Sequence, residues 1–232
     1  LNIYFNGDSY VEGTELDDPA TQSFAAKLSA KLNAQFINQA ENGSSNSLII
    51  RKMTEYLYQC KQTNTFPDLV VIGWSEATRE DCFILNEYRS LAGTGPDHEL
   101  IDPDEYRYWS YNNQNWQYRH QLCKFYNRAI HNLHLELQYL KIPHLFFNAI
   151  EPLNKIEISA PGIAHENGNN ILKLEWHDCY FYPYDRLDMA WRDWATERNY
   201  QQVTPDFYHF KEDCHAAWTD VIYNYIKEKN IA

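Results

Sequence analysis

The sequence predicts a three-layer α/β/α sandwich around a parallel sheet of about five strands. Three observations carry this. Strand-like apolar runs alternate with helix-like periodicity along the chain. In the strand-like stretch Asp68–Gly73 (DLVVIG) the run after Asp68 is continuously apolar and rich in β-branched residues, as a central strand buried on both faces should be. The apolar N-terminal run Ile3-Tyr4-Phe5 passes directly into Asn6-Gly7-Asp8-Ser9-Tyr10, as a strand turning into a helix does. In open parallel sheets that edge is where ligands bind.

The elements follow in order. The first strand covers about residues 2–6, and a helix near 19–33 has Pro19 in its first turn and Phe24, Leu28 and Leu32 at spacing four. Gln35–Asn38 reads as a short second strand. A helix of about 45–61 places Ile49, Met53, Tyr56, Leu57 and Cys60 on one face. After the third strand, 68–73, comes a long helix near 114–140 with Leu122, Tyr126, Ile130, Leu133 and Leu137 on one stripe. Pro143–Asn148 is the fourth strand, and 178–182 a weaker fifth. The last helix, about 211–228, opens with Glu212 and Asp213 and closes with Lys227 and Lys229, which suits the helix dipole. Two segments, 93–113 and 151–177, are longer than ordinary connections and read as insertions in a single domain spanning 1–232.

Bulk properties exclude several classes. The formal net charge of −12 argues against nucleic acid and anionic membranes as partners, because phosphate binding is driven by Lys and Arg. The five cysteines are odd in number, widely spaced and without a CxxC pair, so neither a disulfide scaffold nor a structural zinc site is expected. Reduced thiols point to a cytoplasmic protein. No run approaches a membrane span in length, and no signal peptide is visible, although a chain starting at Leu1 leaves room for a removed leader. Of the histidines at 120, 131 and 134 on the long helix, His131 and His134 share a face. No third ligand of suitable spacing accompanies them, so they read as surface or boundary residues and no metal is expected. Nothing in the sequence sets the oligomeric state.

The chemistry-bearing residues are dispersed. Ser9 is a candidate nucleophile, but Asp8 and Ser9 are also natural helix caps. A serine nucleophile needs a base, and the base an orienting carboxylate. Asp206-Phe-Tyr-His209 supplies both in a loop before the last helix, and a surface turn would look the same. His215 is a competing base, read as a packing or capping histidine. Asn42-Gly43-Ser44-Ser45-Asn46 follows the second strand, and Gly43 N–H is a candidate oxyanion donor. Gly73-Trp74-Ser75-Glu76 occupies the same position after the third strand, with Ser75 as a donor or a cap. Arg79 either pairs with Glu76 or reads an anionic substrate group, and the pair is the preferred reading. A flavodoxin-like sheet would bring all of these to one rim.

Together these motifs resemble the SGNH hydrolases, the GDSL-type esterases and lipases. Gly7-Asp8-Ser9 with Gly13 resembles the family's first block, Asn38 with Gly43 the second, and Asp206 with His209 the last. The resemblance implies that Ser9 is the nucleophile, His209 the base, Asp206 its orienting carboxylate, and Ser9 and Gly43 N–H oxyanion donors. The third block departs from the family's Gly-x-Asn-Asp, because Ser75 stands at the Asn position. The implied activity is hydrolysis of a carboxylic ester through an acyl-serine, with no cofactor. The Tyr/Trp-rich segment, with Tyr108 and Trp109, favours a small acyl group on a carbohydrate or similar polar carrier; Trp74 and Arg79 are further substrate-contact candidates. A catalytically weak glycan-binding module and an acyltransferase are the alternatives. The Gly-Trp-Ser-Glu-x-x-Arg phrase departs from bacterial secreted esterases and admits a phage-encoded source.

Overall fold

The computed structural model describes residues 1–84, 87–91, 116–153, 178–204 and 209–232. The segment 93–113 with Tyr108 and Trp109, nearly all of 151–177, and Asp206 lie outside the described residues.

Five strands form one parallel sheet: β1 (Asn2–Asn6), β2 (Gln35–Asn38), β3 (Leu69–Trp74), β6 (His144–Asn148) and β7 (Tyr180–Phe181). Their spatial order is β2-β1-β3-β6-β7, and every neighbouring pair is parallel. Chain order reverses direction across the sheet at β1/β3, and the crevice outside the carboxyl ends of these two strands is the expected ligand position.

Alternation along the strands builds two cores. Ile3, Phe5, Leu69, Val71, Leu145 and Phe147 face one way and pack with α3 (Phe24–Lys31), α6 (Trp191–Glu197) and α7 (Glu212–Lys229). Tyr4, Val70, Ile72, Trp74 and Phe146 face the other way, onto α4 (Asn46–Thr63) and α5 (Trp116–Tyr139). All six residues of β3 are buried, which is why its sequence is apolar without alternation. The sandwich has the three layers the sequence predicts.

Three local features differ from expectation. The helix expected over 19–33 is two: α2 (Pro19–Gln22) ends at Ser23, whose extended backbone (φ −65°, ψ 157°) breaks the helix. The Ser23 hydroxyl then accepts from Ala26 N–H and caps α3. A hairpin of β4 (Glu80–Ile84) and β5 (Glu87–Leu91) forms a separate antiparallel sheet. Helix α6, unanticipated, buries Trp191 and Trp194, with the Trp191 and Trp218 rings stacked at 5.1 Å. Among the described residues no helix is long and apolar enough to cross a membrane.

Candidate active site

Strand β1 delivers the chain to the carboxyl edge of the sheet, where α1 (Ser9–Glu12) begins at once. The turn is tight. A Cβ on Gly7 would stand 2.6 Å from a Val11 methyl and 2.8 Å from Gly73 O, so only glycine lets α1 pack this close to β3. Asp8 is the N-cap and its Oδ1 accepts from Tyr10 N–H at 3.0 Å. Ser9 is the first helical residue, 2% exposed; its carbonyl accepts from Gly13 and Thr14 N–H, and its hydroxyl has no hydrogen-bond partner among the described residues. The capping role therefore belongs to Asp8 and leaves the Ser9 hydroxyl uncommitted.

Asp8 is fully buried, and desolvation raises its pKa from 3.8 to about 6. The Arg79 guanidinium, the Tyr10 N–H bond and the neighbouring Ser75 hydroxyl oppose the shift. Ser75 is fully buried, and its Oγ and Asp8 Oδ2 both lack a well-aligned hydrogen bond. The Ser75 backbone is pinned by Asn46: Ser75 N–H donates to Asn46 Oδ1 at 2.9 Å, and Asn46 Nδ2 donates to Ser75 O at 3.0 Å. Asn46 opens α4 and is fully buried, a supporting residue that the Asn-Gly-Ser-Ser-Asn stretch contained but whose partner lies 29 residues away.

His209 sits just before α7, at a bridge between 201–203 and 209–211: Val203 N–H donates to His209 O at 2.8 Å, and Lys211 N–H to Gln201 O at 3.0 Å. Its ring lies edge-on to that of Tyr10, the residue after Ser9, at 5.8 Å. Ser9 and His209 thus come from opposite ends of the chain to one corner, with no hydrogen bond joining them. His209 Nδ1 stands 3.3 Å from Glu15 Oε2. Burial lowers the His209 pKa below 6.5, Glu15 raises it, and Arg79 lowers it further. Glu15 holds a left-handed backbone (φ 68°) in the turn after α1, a strained conformation for a residue with a side chain. The sequence reading did not single out Glu15; its only local signal is an acidic side chain two residues beyond Gly13.

The other candidates divide. Arg79 makes the expected pair, its Nε donating to Glu76 Oε1 at 3.0 Å. Its Nη1 is nevertheless buried without a partner among the described residues, in a guanidinium close enough to Asp8 and His209 to lower both pKa values. Gly43 adopts φ 78°, and a Cβ there would meet nothing within 4 Å, so its backbone borders open space. Trp74 corrects an expectation: it is fully buried and packs edge-on against Phe146 at 5.3 Å, so it contacts core and not substrate. His215 is the structural histidine expected, with Nδ1 accepting from Phe24 N–H at 3.1 Å. Burial and nearby Lys27 push its pKa down to about 3, which keeps that nitrogen an acceptor. His134, expected at the surface or boundary, is instead buried, against His144 and Cys179.

The fold is shared with esterases and lipases of known structure. The psychrotrophic esterase EstA from Pseudoalteromonas sp. is 15% identical with a TM-score of 0.54, over 98% of this chain and 97% of that one. The lipase Lip_vut3 from a goat rumen metagenome is 14% identical with a TM-score of 0.57, over 97% of each chain. The acetyl xylan esterase AlAXEase is 15% identical with a TM-score of 0.52, over 97% of this chain and 98% of that one. No curated protein matches the sequence. One family model, described as "Family of unknown function (DUF6071)", matches residues 13–166, a stretch that contains Glu15, Gly43, Ser75 and Arg79. By that match, which covers more than half of its 232 residues, the chain belongs to the DUF6071 family.

Proposed function

We propose that this chain is a serine esterase acting through an acyl-serine on Ser9. The observation that carries the reading is the corner itself. A serine with an uncommitted hydroxyl opens α1 at the sheet's carboxyl edge, and a histidine whose Nδ1 faces a carboxylate stands beside the next residue. When Nδ1, which stands 3.3 Å from the Glu15 carboxylate, carries the ring proton, His209 Nε2 carries the lone pair. Its lowered pKa keeps it unprotonated at neutral pH, as a general base must be.

In this reading His209 Nε2 takes the Ser9 proton as Oγ attacks the ester carbonyl. Ser9 and Gly43 N–H hold the oxyanion of the tetrahedral intermediate. The imidazolium protonates the departing alcohol, and the neutral imidazole then activates water to cleave the acyl-serine. The Ser9–His209 hydrogen bond forms when substrate closes the corner, since such bonds are often long in free enzymes. Arg79, with one free guanidinium nitrogen, adds positive potential at the oxyanion or reads an anionic group of the substrate. Acetylated carbohydrate is the favoured substrate class; the fold shared with an acetyl xylan esterase supports it, as do the aromatic residues between 106 and 116.

We assign the orienting carboxylate to Glu15, in the place the family resemblance gives to Asp206. Hydrolysis of p-nitrophenyl acetate by point variants tests both assignments. Ser9→Ala should fall to background, a loss of roughly 10⁴-fold or more in kcat. Glu15→Gln should lose roughly 10²–10⁴-fold, with Asp206→Asn within about tenfold of wild type. The opposite ranking would return the role to Asp206. Wild type at the rate of Ser9→Ala would favour the glycan-binding module, and acyl groups diverted to an added sugar would favour the transferase.

A further inference from the structure

We propose that His134, His144 and Cys179 form a zinc-class metal site at the edge of the sheet opposite Ser9. Three elements meet there: His134 from α5, His144 ten residues on as the first residue of β6, and Cys179 immediately before β7. Both histidines are buried, at 4% and 5% exposure, and Cys179 is half-buried. Their ligand atoms converge. His134 Nδ1 lies 2.7 Å from His144 Nε2 and 3.4 Å from Cys179 Sγ, and all three atoms fall within 4.8 Å of one another.

The surroundings suit a metal. The other ring nitrogen of His144, Nδ1, is 2.9 Å from Ile142 O, a carbonyl that can only accept. Nδ1 therefore carries the proton, and Nε2 presents its lone pair to the cluster. This is the arrangement in which metal-bound histidines are held, with a second partner fixing tautomer and ring angle. Cys179 is seated by its backbone, since Phe146 N–H donates to Cys179 O at 2.8 Å.

The donor set of two imidazoles and one thiolate selects zinc over calcium or magnesium, which prefer oxygen. Tetrahedral zinc needs about 3.3 Å between nitrogen ligands and about 3.6 Å between nitrogen and sulfur. The His134–Cys179 separation already meets this, and the two imidazoles need to part by roughly 0.6 Å, a small ring rotation. Three protein ligands leave a fourth position for water.

His144 starts a strand parallel to β1 and β3, whereas Ser9 follows the far end of β1, so the cluster stands apart from the ester chemistry. Its role is to staple α5 to the start of β6 and the entry to β7. The alternative is a metal-free pair in which His134 Nδ1–H donates to His144 Nε2.

Cobalt(II) titration of chelator-treated full-length protein decides between them. The proposal expects one Co²⁺ per chain at micromolar concentration, a thiolate-to-cobalt charge-transfer absorption, and displacement by Zn²⁺. Cys179→Ser should lose that absorption and bind at least tenfold more weakly, and Ser9→Ala should bind as wild type does. If Cys179→Ser fails to fold, His134→Asn serves as the second variant, with the same loss of stoichiometric binding expected. A wild type without stoichiometric thiolate–cobalt absorption, or a folded Cys179→Ser that retains it, overturns the proposal.

Discussion

Asp8 does two things at once: it caps α1 through Oδ1 and carries a fully buried carboxyl beside Arg79. Its folded pKa, about 6, exceeds the unfolded value near 3.8, so the folded state holds its proton more tightly. Stability from this group is therefore greatest below pH 4 and is lost as pH rises through 6, by about 3 kcal/mol in all. Asp8→Asn keeps the capping oxygen and removes the titration. Urea unfolding should show the variant gaining on wild type between pH 4.5 and pH 7 by about 2 kcal/mol. A gap constant with pH would mean Asp8 does not ionise in this window. The Gly-Asp-Ser motif was legible in the sequence, and so was the distant His209. Glu15 was not, because a side chain that reaches a histidine 194 positions away leaves no local spacing to read. Ser75 was legible as a departure from the family pattern, but its complete burial beside Asp8 depends on Asn46, which sequence spacing does not relate to it.

The helices show where periodicity suffices and where it fails. Long amphipathic stripes placed α4, α5 and α7 to within a few residues, because several apolar positions at one spacing over four or more turns admit few alternatives. The break at Ser23 escaped notice because half of the cap comes from α7: His215 Nδ1 accepts from Phe24 N–H, the first residue of α3. The hairpin β4–β5 escaped because no Asn-Gly or Asp-Gly lies between its strands, and α6 because seven residues are too few for a period. The His215 contact carries its own prediction. Its folded pKa, about 3, lies below the unfolded 6.5, so its stabilisation is complete above pH 6.5 and is lost as pH falls below it. His215→Gln should remove this part of the acid sensitivity, up to about 1.4 kcal/mol per pH unit between pH 6 and pH 4. The check is thermal or urea unfolding of both proteins across that range. Equal acid slopes would show that His215 does not bridge α7 to α3 as an unprotonated acceptor.

At the scale of the molecule, the parallel sheet separates two groups of chemical side chains. Its carboxyl edge gathers Ser9, His209, Glu15 and Arg79, and its amino edge gathers His134, His144 and Cys179. The architecture was readable in advance, since a buried β-branched strand flanked by amphipathic helices leaves few topologies open. The amino-edge cluster was not, because its ligands are spread over three elements and only His134 lies on a periodic face. Whether Ser9 is a nucleophile activated by His209 is read out by intact-mass and peptide analysis after reaction with a fluorophosphonate. One phosphonyl group per chain is expected, carried on Ser9, with labelling absent in Ser9→Ala and slowed roughly 10²-fold or more in His209→Ala. A wild type that takes up no label, or a Ser9→Ala protein labelled as fast as wild type, would contradict that role of Ser9.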